Sequence, residues 1–137
     1  MFAHKNRFFA IFAAFVAALT LLFSAGESVA LSFKPSVPIF PLNVVVFPSE
    51  ELNLHIFEPR YKQLIRECFS DVKPFGIPTV INNKIGDWGT LVKVQEIVKT
   101  YENGEMDIRT KGVTVFRILE IIKSIPSKLF SGAIVNY

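Results

Sequence analysis

Between Ile39 and Phe69 the chain reads IFPLNVVVFPSEELNLHIFEPRYKQLIRECF, and four structural signals follow one another there with almost no residue to spare. Val44, Val45 and Val46, with Leu42 and Phe47, form a β-branched run too short for a helix and bounded by Pro41 and Pro48, which predicts a buried strand. Leu52, Leu54 and Ile56 alternate with Asn53 and His55, the period of a strand with one face in a core. Glu58 stands at a cap position and Pro59 fits the first helical turn. Tyr61, Leu64, Ile65, Cys68 and Phe69 then fall on one helical stripe, with Lys62, Gln63, Arg66 and Glu67 turned to water. Such a helix closes one side of a sheet, and Ser70, Asp71 and Pro74 end it.

Beyond the helix the pattern is strand and turn. Residues 75–81 read as a short strand that Pro78 confines to an edge. Residues 82–89 read as a polar loop holding Trp88, and 90–100 with 105–111 as a hairpin around Asn103-Gly104, a dipeptide suited to a type I′ turn. Val92 and Val94 share a face while Ile97 is out of phase, so a β-bulge is expected near Gln95 and Glu96. Gly112 suggests a corner before a kinked strand over 113–123, and a last strand over 129–137 follows the Pro126 turn. These expectations define a mainly β (α+β) domain over 31–137, a small partly closed β-barrel of about six strands with one amphipathic helix.

The Phe40-Pro41-Leu42 start, the Phe47-Pro48 turn and the block from His55 through Ile56, Phe57, Glu58, Pro59 and Arg60 to Tyr61 resemble the N-terminal, substrate-binding domain of the Lon ATP-dependent proteases and of smaller stand-alone proteins of that family. The resemblance continues through Gly89-Thr90, Glu102-Asn103-Gly104, and Gly112 with Phe116-Arg117. It implies a β-rich, PUA-like half-domain that holds polypeptides and takes no cofactor. It stops at Tyr137, where the helical half of the family domain would begin.

Residues 1–30 form a separate leader. Lys5 and Arg7 precede an uncharged apolar run over 8–23, and a small, polar stretch closes on Ser28-Val29-Ala30, the order of a secretory signal cleaved after Ala30. As a helix the run reaches about 24 Å, short of the roughly 30 Å hydrocarbon core. A cleaved signal or an uncleaved anchor places the protein outside the cytoplasm or on a membrane. A start near Leu31, with the leader an over-extended reading frame, places it in the cytoplasm, where the Lon resemblance also points. Membrane contact is expected through this leader alone.

Chemistry is sparse. No G-x-x-x-x-G-K-[ST] phosphate loop occurs, which excludes the P-loop type of ATP hydrolysis. Ser124, Ser127 and Lys128 lie together near Pro126 without an oriented base or an oxyanion site, so no catalytic residue is assigned. His4 lies in the leader, and His55 has only Glu58 as a near carboxylate in sequence, so no metal site is assigned either. Glu58 and Arg60 read as a cap and a local ion pair. The single cysteine, Cys68, rules out an intrachain disulfide and reads as a core residue of the helix. A net charge of +3, with lysines and arginines interleaved among acids, argues against nucleic acid as a partner.

What remains is binding. Ile85 and Trp88 stand among Asn, Lys and Asp, where no periodicity obliges burial, and are the candidate peptide-binding residues; the competing reading is that Trp88 plugs the barrel end. The expected function is capture of unfolded or partly folded polypeptides, in an adaptor role beside a protease or chaperone. The alternatives are a PUA-like module for a small ligand or RNA, and an enzyme of unrecognised activity.

Overall fold

The computed structural model describes residues 36–137, so the leader reading falls outside the described residues. The chain runs β1 (Val37–Pro38), β2 (Glu51–Ile56), α1 (Pro59–Ser70), β3 (Phe75–Ile81), β4 (Lys84–Thr100), β5 (Met106–Ile122) and β6 (Gly132–Asn136). Six strands form one antiparallel sheet in the order β1-β6-β5-β4-β3, and β2 pairs with β5 off that path. Among the described residues no helix is long and apolar enough to cross a membrane.

Two strands of 17 residues each carry the architecture, about three times the usual length. Strands so long must bend, and bulges supply the bends. The expected slip lies between Val94 and Glu96, and β4 slips again between Leu91 and Val92 and between Ile97 and Lys99. The bend lets the first half of β5 pair with β2 and its second half with β6. The two strands expected on either side of Gly112 are one: β5 runs through it, and the expected corner is the bend at the slip that leaves Val113 unpaired between the Leu91–Thr114 and Val92–Gly112 pairs. The sheet curls but does not close into a barrel. The first segment meets β3 through isolated parallel bridges, Ile39 with Gly76 and Leu42 with Thr79.

Three local readings need correction. The valine run 44–46 is not a strand; it is an irregular segment in which Val45 and Phe47 are exposed and Val46 alone is in the core. Residues 82–89 are not a loop. Asn82 and Asn83, at φ 50° and 61°, make a two-residue turn between β3 and β4, closed by the Ile81–Lys84 pair, which is the positive-φ geometry of a type I′ hairpin. At Asn103-Gly104 only Gly104 has positive φ, 84°. There Tyr101 N–H donates to Glu105 O (2.8 Å) and Gly104 N–H to Tyr101 O (3.0 Å), so the loop has three residues with glycine at its bulge position.

The helix packs as its stripe requires, with Leu64, Ile65 and Cys68 buried and Phe69, in the last turn, exposed. The core joins them to Phe40, Val46, Ile56, Phe75, Ile77, Val92, Met106 and Ile108, and Tyr61 stacks on Phe40 with ring centroids 3.8 Å apart. Each full burial of such a side chain contributes about 1.5–3 kcal/mol. Glu58 occupies the N-cap position but its carboxylate makes no cap; it accepts from Arg60 Nε at 2.9 Å. Phe116 lies apart from this core, fully buried against Gly76 and Gly89.

Candidate functional site

The segment from Asn43 to Glu50 forms a strap that touches three strands in turn. Thr79 Oγ1 on β3 donates to Val44 O (3.1 Å), and Thr90 Oγ1 on β4 donates to Val46 O (2.5 Å). At β5, Ser49 N–H donates to Gly112 O (2.9 Å) and Gly112 N–H to Glu50 O (2.8 Å). With the carbonyls of Val44, Val46 and Glu50 committed to the sheet, Val46 points into the core while Val45, 62% exposed, and Phe47, 65% exposed, turn outward and Val44 is partly exposed. Gly112 permits this approach, because a Cβ there would overlap the carbonyl oxygen of Phe47.

Exposed apolar residues also flank the strap's anchors. Ile81 ends β3 two residues past Thr79, Val115 pairs with Thr90, Trp88 lies two residues before Thr90, and Val113 follows Gly112. Trp88, 59% exposed opposite Arg117, does not plug the end of the sheet. Ile85, 36% exposed, pairs with Val80, and a slip that sets Gly86, Asp87 and Trp88 against Thr79 alone separates it from Trp88. Val44, Val45 and Ile81 line one shallow depression together, and a contiguous exposed apolar surface marks an interaction site more often than scattered residues do.

A polar cluster that sequence spacing did not reveal lies on β2 and β5. Their register sets His55 opposite Asp107, and His55 Nδ1 meets Asp107 Oδ1 at 2.6 Å. Tyr101 O–H donates to Asp107 Oδ2 at 2.6 Å, and Glu105 Oε2 lies 3.6 Å from His55 Nε2. The hydrogen bond to Asp107 raises the His55 pKa above its usual 6.5. The bonds from Tyr101 and then His55 hold the Asp107 carboxyl below its usual range. Among the described residues the ring nitrogens of His55 meet only carboxylates, so the cluster clamps β2 to β5 and has no nucleophile to activate. Protonated His55 is favoured by folding, so its stabilisation is complete below pH 6.5 and lost as pH rises through the raised folded value; that of Asp107 is complete above about 3.8 and lost as pH falls through the lowered one. An NMR titration of the His55 ring places its midpoint above 6.5, and Asp107→Asn lowers it; an unmoved midpoint contradicts the clamp.

The remaining sequence candidates are structural. Lys128 Nζ is held by Glu67 Oε1 at 2.6 Å, so its ammonium serves the helix and not Ser124 or Ser127. Burial pushes the Cys68 thiol up to about 11, which makes it a poor nucleophile. Among the described residues no group of three or more His, Cys, Asp or Glu is placed to hold a metal.

An open antiparallel sheet, one helix closing its core and an apolar strap facing outward define a β-rich binding domain. Residues 36–136 match the ATP-dependent protease La (LON) substrate-binding domain, and the chain belongs to that family. It is similar in structure to the Lon N-terminal domain protein from Xanthomonas campestris, at 25% identity and TM-score 0.63 over 74% of this chain and 59% of that one. It also shares its fold with the N-terminal domain of Mycobacterium avium complex Lon protease, at 12% identity and TM-score 0.58 over 74% of this chain and 54% of that one. The chain thus matches little more than half the length of either.

Proposed function

We propose that this substrate-binding domain holds exposed apolar segments of unfolded or partly folded polypeptides on the strap and its flanks, and hands them to a protease or chaperone without performing chemistry itself. The observation that carries the reading is the exposure of Val44, Val45 and Phe47 on the strap and of Val115 and Trp88 beside its anchor Thr90, on a segment whose Val44 and Val46 carbonyls are bonded to the sheet. Trp88 is the anchor, since tryptophans are enriched among the residues that dominate the energetics of binding surfaces, and Ile85 is a second exposed contact on the same strand, beyond the slip. The reading is supported by membership of the Lon substrate-binding family.

The test is binding of a reduced, carboxymethylated and permanently unfolded protein by the full chain at two salt concentrations, beside RNA. Association with the unfolded protein is expected to be insensitive to salt, and Trp88→Ser to weaken it about tenfold or more. RNA binding with a steep salt slope would instead favour the PUA-like alternative. Unchanged affinity in Trp88→Ser removes the anchor from the proposal.

A further inference from the structure

We infer that the free edge of β2 is a second element of the polypeptide site, where an extended client segment adds as a strand and places one apolar side chain in a notch beside Leu54. The inference rests on the polypeptide-binding reading above and names how that binding is made.

Among the described residues β2 pairs with β5 alone. Gly112 N–H donates to Glu50 O, and antiparallel bonding alternates residue by residue. Carried along the register, this directs the main-chain groups of Leu52, Leu54 and Ile56 toward β5 and those of Glu51, Asn53 and His55 away from it. No hydrogen bond to the main chain of Asn53 or His55 from that side occurs among the described residues. A row of outward N–H and C=O groups is satisfied best by another extended backbone.

Beside that edge lies a notch of about 200 Å³, lined by Phe40, Leu42, Leu54, Phe57 and Tyr61 among others. It is smaller than the roughly 300–1,000 Å³ of small-molecule pockets, and its walls are mainly aromatic and aliphatic, with His55 and Glu58 at its polar side. Its volume and lining suit a single apolar side chain. The notch separates β2 from the Phe40–Leu42 segment, whose other side is bonded to β3 through Phe40 N–H to Gly76 O and Leu42 N–H to Pro78 O. An added strand on β2 therefore extends the sheet where its curl leaves it open.

The occupant is a transient client and not a second copy of this chain. An edge of six residues is about 20 Å long. An edge of that length buries far less than the roughly 1,200 Å² that a stable interface needs.

The experiment uses the full chain and an eight-residue peptide of alternating leucine and threonine, prepared unmodified, with every leucine nitrogen methylated, and with every threonine nitrogen methylated. Successive residues of a strand bond to opposite edges, so each methylated peptide loses one edge while keeping its side chains. The expected result is binding of the unmodified peptide, retention in one methylated form and a loss of tenfold or more in the other. On the protein side, Asn53→Pro removes an outward N–H and leaves the bonds to β5, so it is expected to weaken the unmodified peptide tenfold or more while Asn53→Ala does not. Should Asn53→Pro fail to fold, the methylated pair decides alone.

Equal affinity, or equal loss, in the two methylated forms overturns the inference. So does failure of the unmodified peptide to bind while the unfolded protein binds, which leaves the polypeptide reading standing. Failure of both overturns the two together. A dimer of the chain that dissociates on Asn53→Pro assigns the edge to a second copy and likewise overturns it.

Discussion

Phe116→Ala lowers the free energy of unfolding by about 3–5 kcal/mol, the largest loss expected from any single truncation outside the main core. The ring is fully buried. A Cβ placed on Gly76 would lie 2.8 Å from it, and one on Gly89 2.5 Å. The two glycines thus form a floor, on neighbouring strands, that the ring alone fills. Removing it leaves a cavity walled partly by backbone, which cannot relax inward the way flexible side chains do. A loss of that size is a large fraction of the 5–15 kcal/mol that holds a typical domain together. In urea, followed by circular dichroism, the midpoint is expected to fall with the slope unchanged. A loss below about 1 kcal/mol would mean that the pair of glycines is not a seat for this ring.

The parts of this fold that were legible in the sequence are those whose partners lie at fixed chain spacing. The alternation of Leu52, Leu54 and Ile56 and the stripe of Leu64, Ile65 and Cys68 each report a face directly. The bulge near Glu96 was legible because Ile97 breaks a local period. Val44, Val45 and Val46 misled because β-branched residues suit a strand only when a neighbouring backbone completes the ladder. Here the hydroxyls of Thr79 and Thr90, 35 and 44 residues away, take the carbonyls instead. The Asn82-Asn83 hairpin was hidden for want of a glycine, whereas Asn103-Gly104 carried the usual signature and formed a different loop.

The same distinction runs through the site. Ile85 and Trp88 are legible because apolar residues in a polar stretch stand out, but the strap depends on bonds to Thr79 and Thr90 that no local pattern encodes. His55 looked isolated because its partner Asp107 is 52 residues away. Register brings them together across β2 and β5, and no local pattern encodes which strands pair.

Gly112→Ala is expected to strain or detach the strap at β5, at a cost of about 1–3 kcal/mol or more. The added methyl collides with the carbonyl of Phe47 and lies within 3.2–3.3 Å of Phe47 C and Pro48 Cα. All three are backbone atoms of a segment pinned on both sides, so no side chain can swing away. Overpacking of that kind costs about 1–3 kcal/mol. If the strap lifts instead, the Ser49 N–H and Gly112 N–H bonds are lost at about 1 kcal/mol each, and Val46 leaves the core. The first route is the cheaper while Val46 stays buried, and the two differ in function. A strap lifted from β5 displaces Phe47, one of the exposed residues proposed to hold the client, so affinity for an unfolded protein falls along with stability. Phe116 neighbours Val115 along β5 but points to the opposite face of the sheet and takes no part in the strap's bonds, so Phe116→Ala is expected to lower stability and leave that affinity unchanged at temperatures where the domain is folded. Measuring both variants for unfolding and for binding therefore separates the strap's two roles. Gly112→Ala that loses stability yet binds as the wild type would show that the strap serves the fold alone and that the client rests elsewhere.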